Sequence, residues 1–176
     1  MDDTGFHAAV VRWQRRIFTY AAYTLGDVSA AEEVTQDVLL RLWRHPEMLA
    51  AERLEGWLMR VTRNACLDEI RRRRVRSRLV DDVTDDEMAR LRPATSPDPE
   101  RRAAAAQLGQ RLAVELSELP ENQRSVVVLR DVQGLSSREI AEVMGMSLAN
   151  VRVVLHRGRR RLRERLEEVE DHVVAV

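Results

Sequence analysis

GLSSREIAEVMGMSLANVRVVLHRGRRR, from Gly134 to Arg161, decides the fold of its half of the chain. Ser136 and Glu139 stand three apart, the spacing at which a hydroxyl and a carboxylate satisfy each other's exposed backbone N–H groups at a helix start. Ile140, Ala141 and Met144 then fall on one face, as an inward stripe requires. Gly145 sits where a left-handed residue ends that helix, because glycine takes positive φ without a Cβ penalty. Ser147 is placed to cap a second helix. In that helix Val151, Val154, Leu155 and Leu162 recur at helical spacing and point inward. Leu148, Ala149, Arg152, Val153, His156 and Arg157 are left outside, a face shaped for a major groove. The pattern is that of a DNA-reading helix-turn-helix; an ordinary helical hairpin with a solvated arginine tail would need neither the paired caps nor one-sided arginines.

The remainder of the 176 residues is also helical in pattern, 44% hydrophobic but only 4% aromatic, which predicts an all-α protein of small units packed through aliphatic side chains. From Phe6, the residues Val10, Trp13, Ile17, Tyr20 and Leu25 describe an amphipathic helix that Gly26 closes. Ser29 and Glu32 have the spacing to open the next. There Val34, Val38, Leu39 and Leu42 are apolar, while Glu32, Glu33, Gln36, Asp37 and Arg41 form a polar, mainly acidic face, and Pro46 marks its end. A third stretch carries Trp57, Leu58, Val61, Ala65 and Ile70 into a block of arginines. Residues 1–79 are thus expected to form one helical domain. Residues 80–100, with Pro93, Pro97, Pro99 and little apolar periodicity, read as a flexible linker. Residues 101–176 make the second domain, in which Leu108, Leu112, Leu116 and Leu119 lead through Pro120 and the apolar Val127, Leu129 and Val132 to the helix-turn-helix.

The formal net charge is zero, but the charges are segregated. Arg71, Arg72, Arg73, Arg74, Arg76 and Arg78 form one basic block and Arg152 to Arg165 another, with Asp81, Asp82, Asp85, Asp86 and Glu87 between them. Local patches, not the sum, decide where phosphates bind. Crowded arginines repel one another, and an anionic partner relieves that. The single cysteine, Cys66, excludes a disulfide framework or multi-cysteine zinc site and fits a cytoplasmic protein, with the thiol as a small apolar filler. His7, His45, His156 and His172 have no metal-ligand spacing. Glycine-rich phosphate loops, serine elbows and paired catalytic carboxylates are absent from the pattern, so neither an enzyme nor a cofactor is expected. No apolar run reaches the ~18–20 residues that span a bilayer, and Met-Asp-Asp does not begin a secretory signal.

In order and spacing, the segments Leu25-Gly-Asp27, Ala31-EEVTQDVLLRL-Trp43, Gly56-WLMRVTRNACL-Asp68, Leu119-PENQ-Arg124 and Gly134 to Arg163 resemble the bacterial extracytoplasmic-function (ECF) sigma factors of the sigma-70 family. These are the compact type with only sigma regions 2 and 4. The resemblance implies binding to core RNA polymerase, recognition of two promoter elements and strand opening, with no covalent chemistry. By resemblance, Arg152, Val153, His156 and Arg157 face the minus-thirty-five element as duplex in the major groove. An arginine fork bridges guanine O6 and N7 or grips phosphate, and Val153 either meets a thymine methyl or fills space. Arg159, Arg160, Arg161 and Arg163 fall to phosphate or solvent, where the helix leaves the groove.

The minus-ten element is then read as melted strand. Asn64 matches the pocket position for a base turned out of its stack, with Arg60 and Arg63 beside it and Arg71 and Arg72 toward the backbone. Trp57 is either core or a stacking platform. The helix from Ala31 to Trp43, through Glu33, Gln36 and Asp37, matches the surface that meets the coiled-coil of the largest polymerase subunit. The acidic linker is an inert tether or a phosphate mimic in the polymerase's basic channel. The resemblance also implies control by an anti-sigma factor. The competing reading is a dimeric helix-turn-helix regulator that binds duplex operators without polymerase; it gives the N-terminal segments and their arginines no task.

Overall fold

The computed structural model describes residues 3–79 and 99–174. All regular structure among them is helical. The chain divides into two compact units, Met1–Arg90 and Leu91–Val176.

The first unit packs three helices, α1 (Asp3–Leu25), α2 (Val28–Arg44) and α3 (Leu54–Leu79), with a short 3-10 turn at Pro46–Ala50. Gly26 closes α1 at φ 68°. The next cap differs from expectation: α2 is capped two residues before the Ser29–Glu32 pair would cap it, because the extended Asp27 accepts the Ala30 N–H on Oδ1 at 3.0 Å. Aspartate caps as well as serine does. The core is aliphatic with few rings, as composition predicts. Trp13, Ile17 and Tyr20 of α1 meet Val34, Val38 and Leu42 of α2 and Leu58, Met59 and Ala65 of α3, all buried. Cys66 is buried with them, in the place of a small apolar residue. Arg16 ties α1 to α3 through Glu55 at 2.7 Å.

The second unit contains α4 (Pro99–Ser117), α5 (Glu121–Val127), α6 (Ser137–Met144) and α7 (Leu148–Val174). Pro120 stands just before α5 as its cap residue rather than inside its first turn. At its far end α5 widens into a π turn over Val128–Val132, where Gln133 N–H reaches Val128 O at 3.0 Å. Val126, Val127, Val128, Leu129, Leu135, Ile140 and Val151 form the core with Leu116 of α4 and Leu119 of the turn that follows it. The linker acids Asp81, Asp82, Asp85, Asp86 and Glu87, with Pro93 and Pro97, lie outside the described residues.

Candidate nucleic-acid interface

The helix-turn-helix is built as its local chemistry dictates. Ser136 Oγ accepts the Glu139 N–H at 3.3 Å and Glu139 Oε2 accepts the Ser136 N–H at 2.7 Å, a reciprocal capping box. Gly145 ends α6 at φ 66°, its N–H bonded to Ala141 O. Ser147 Oγ then accepts the Asn150 N–H at 3.2 Å and opens α7. The inward face of α6 is turned slightly from the expected stripe: Ile140 and Val143 are buried, whereas Ala141 and Met144 are half-buried. On α7, Val151 and Leu155 are buried, and Val154 and Leu162 are half-buried.

Arg152, Val153, His156 and Arg157 are all exposed on the other side of α7, beside exposed Leu148, Ala149 and Asn150. Farther along the helix the arginines do not form one uniform phosphate grip. Arg159 Nε donates to Asp131 Oδ2 at 3.0 Å and its Nη2 to Asp131 Oδ1, a two-pronged bond to the π turn after α5. Arg159 thus has a partner within the protein in addition to the solvent expected for it, its side chain being 49% exposed. Arg160 meets Glu164 at 3.4 Å on its own helix, and Arg165 donates to the largely buried Glu115 of α4 at 2.8 Å. Arg161 and Arg163 are exposed. Asp131 and Glu115 therefore set the pose of α7 relative to α4 and α5 within this unit.

In the first unit, α3 exposes Arg60, Asn64 and Arg71, whose spacing along the helix keeps them near one side. Arg63 is half-buried, with Nη1 directed to Asn64 Oδ1 at 3.4 Å. Trp57 is neither fully buried nor free of neighbours: its ring stands edge-on to His45 with centroids 6.1 Å apart.

The arginine block is partly neutralised from inside the protein. Glu69, only 5% exposed, receives Arg73 Nε at 3.0 Å and Arg76 Nη2 at 3.2 Å, with Arg72 Nε at 3.5 Å. Arg73 also donates to Asp27 Oδ2 at 2.8 Å, and Arg71 lies 3.4 Å from Asp68. Burial alone would raise the Asp27 carboxyl, yet the Ala30 N–H and the Arg73 guanidinium hold it below the usual carboxylate range. Mutual repulsion of the arginines is thus relieved in part by Glu69, Asp27 and Asp68, so repulsion argues for an anionic partner less strongly than the bare run does. Arg71 and Arg72 remain more than half exposed and accessible to phosphate.

Glu33, Gln36 and Asp37 form an exposed face of α2, opposite buried Ala31, Val34 and Val38; Arg41 spans to Asp37 at 3.3 Å. Exposed Leu40 continues this helix toward Trp43, whose ring meets Phe6 edge-on at 4.7 Å. Among the described residues no group of His, Cys, Asp or Glu has the arrangement to hold a metal. No helix there is long and apolar enough to cross a membrane.

Comparison with known proteins bears on both units. The family description "Sigma-70 region 2" matches residues 9–76 and "Sigma-70, region 4" residues 109–162. The chain is 37% identical over 172 residues to the ECF RNA polymerase sigma factor SigE of Mycolicibacterium smegmatis, covering 94% of this chain and 65% of that protein. With the ECF sigma factor SigL of Mycobacterium tuberculosis it shares 36% over 165 residues, 93% of this chain and 86% of that one. Among solved structures, the sigma factor RpoE in complex with the anti-sigma factor NepR, from Bartonella quintana, matches with a TM-score of 0.72 at 21% identity. It covers 92% of this chain and 96% of that one. CnrH in complex with the cytosolic domain of CnrY matches with a TM-score of 0.61 at 24% identity, covering 93% and 88%. At those identities the two structures speak for the fold alone.

Proposed function

We infer the function from one premise, that the chain belongs to the ECF group of the sigma-70 family: it is an alternative sigma factor. It binds core RNA polymerase, recognises minus-thirty-five and minus-ten promoter elements and promotes strand opening. The carrying observation is the presence of region 2 and region 4, in that order, in one chain of helical units. A dimeric operator-binding regulator has no use for region 2. The division of labour we propose gives residues 1–79 the polymerase and the minus-ten element, residues 80–100 the tether, and residues 101–176 the minus-thirty-five element. Its work is binding and positioning in the cytoplasm, without covalent catalysis.

Within that scheme, Glu33, Gln36 and Asp37 meet the coiled-coil of the largest polymerase subunit; their exposure on one face of α2 supports this. Asn64 meets a base turned out of the melted strand, flanked by Arg60 and Arg63, while Arg71 and Arg72 follow the backbone. Arg152, Val153, His156 and Arg157 enter the major groove. An anti-sigma factor is the proposed regulator, since a sigma factor of similar fold was solved with such a partner.

Reconstitution with core polymerase on double-stranded and pre-melted promoters tests the whole reading. A promoter-specific transcript is expected; absence of both transcript and core complex would reject it. Two substitutions test the parts. Arg157→Ala is expected to weaken holoenzyme binding to the upstream element by ~1–3 kcal/mol if the fork reads a base. A titration against scrambled duplex checks this, since equal loss there identifies a phosphate contact instead. Asn64→Ala is expected to alter base preference in the downstream element while core affinity stays constant. Equal use of all four bases at the flipped position by wild type and variant alike would remove Asn64 from the pocket.

A further inference from the structure

Val153 is not part of the core. It is 46% exposed, whereas Val151 and Leu155, two positions to either side, are buried. A β-branched side chain is also a poorer helix former than alanine or arginine, so helix propensity does not account for it. Of its two sequence readings, its exposure favours contact with a thymine methyl over filling space.

Its surroundings say what it is suited to meet. Ala149 lies one turn before it on the same face, and Arg152, His156 and Arg157 stand around it, all exposed. A short apolar centre ringed by long cationic or hydrogen-bonding side chains complements a base-pair edge with one hydrophobic spot among acceptors. In the major groove that spot is the C5 methyl of thymine, the single methyl group any unmodified base presents there. Arginine and histidine reach outward to base acceptors or phosphates, while a valine, short and stiff at χ1, contacts only what comes close to the helix.

We propose that Val153 is a specificity-determining residue that reads the C5 methyl of one thymine in the minus-thirty-five element. This rests on α7 being the recognition helix of a sigma factor.

Holoenzyme reconstituted from the full chain and core polymerase first selects its upstream element from a library randomised at that element. Each selected thymine is then replaced, one at a time, by deoxyuridine, which removes the methyl and keeps the base pair. At one position wild-type holoenzyme is expected to bind the deoxyuridine duplex about three- to fivefold more weakly, the factor for one methyl-sized apolar contact. Val153→Ala is expected to bind the thymine and deoxyuridine duplexes equally there. Arg157→Ala should bind more weakly overall but keep the thymine preference. Because Val153 is exposed, circular dichroism of its alanine variant should match wild type. An element without thymine, no methyl-sensitive position, or a thymine preference that survives Val153→Ala overturns the proposal. Holoenzyme that selects an element but ignores the methyl leaves the sigma reading intact and removes only this one; protein that selects nothing with core polymerase removes both.

Discussion

Gly158→Leu is expected to open the helix-turn-helix unit while α1 to α3 keep their protection against hydrogen exchange. Gly158 is buried in α7 where that helix crosses α5. A Cβ built there lies 2.8 Å from Val127 Cγ2 and 3.3 Å from both Gln123 Cβ and the Gln123 backbone oxygen. Val127 is itself 3% exposed and, as a β-branched residue in a helix, has little rotameric freedom to retreat. The backbone oxygen moves only with α5. Alanine at this position gains ~1 kcal/mol of helix propensity over glycine, against an overpacking cost of ~1–3 kcal/mol, and should be mildly destabilising. Leucine adds three further carbons to the same gap with no matching gain. Its expected loss is ~3 kcal/mol or more, on the order of a hundredfold in local protection, together with binding to the upstream element. Exchange measured by mass spectrometry on the full chain separates peptides of α5 and α7 from those of α1 to α3. Wild-type protection in the leucine variant would mean that α5 and α7 do not approach as closely as this.

Such a contact is hard to read from sequence for a definite reason. Local signals are legible: Ser136 with Glu139, Gly145 and Ser147 act within four residues, and each is found as its spacing predicts. Helical periodicity likewise places Arg152, Val153, His156 and Arg157 outside, because a strong inward stripe fixes the opposite face. Gly158 sits among arginines and carries no apolar signature, so its burial is invisible until α5 is laid against it. The ion pairs that pose the helices join Asp27 to Arg73, Glu115 to Arg165 and Asp131 to Arg159. Nothing local distinguishes those arginines from solvated neighbours. The cap of α2 is a different case: Ser29 and Glu32 match the capping-box spacing, but the left-handed Gly26 delivers an extended Asp27 first, and the earlier cap wins. On α6 the periodicity is right and the rotation is off, since Val143 rather than Met144 is buried. Eight residues constrain the azimuth of a helix weakly until its partners are in place.

Arg124→Met is the second substitution expected to have a large effect, through the turn between α4 and α5. Arg124 is 8% exposed, and its Nη2 donates to Leu119 O at 3.1 Å and to Ser117 O, spanning the turn between α4 and α5. The last carbonyls of a helix lack partners within it, and Pro120 offers no N–H to this turn. The guanidinium takes that role from the first turn of α5, fixing where α4 ends. Methionine preserves much of the apolar stem but leaves these carbonyls without their donor, and each buried group so left costs ~1–3 kcal/mol. A total loss of ~2–4 kcal/mol in urea unfolding is therefore expected. Arg124→Lys should recover part of it, since an ammonium restores charge but not the planar fork. Far-UV circular dichroism of the full chain, with exchange at α4 and α5 to localise the change, makes the measurement. A methionine variant as stable as wild type would show that water serves those carbonyls as well as arginine does. A lysine variant no better than methionine would place the effect in the geometry of the fork, not in its charge.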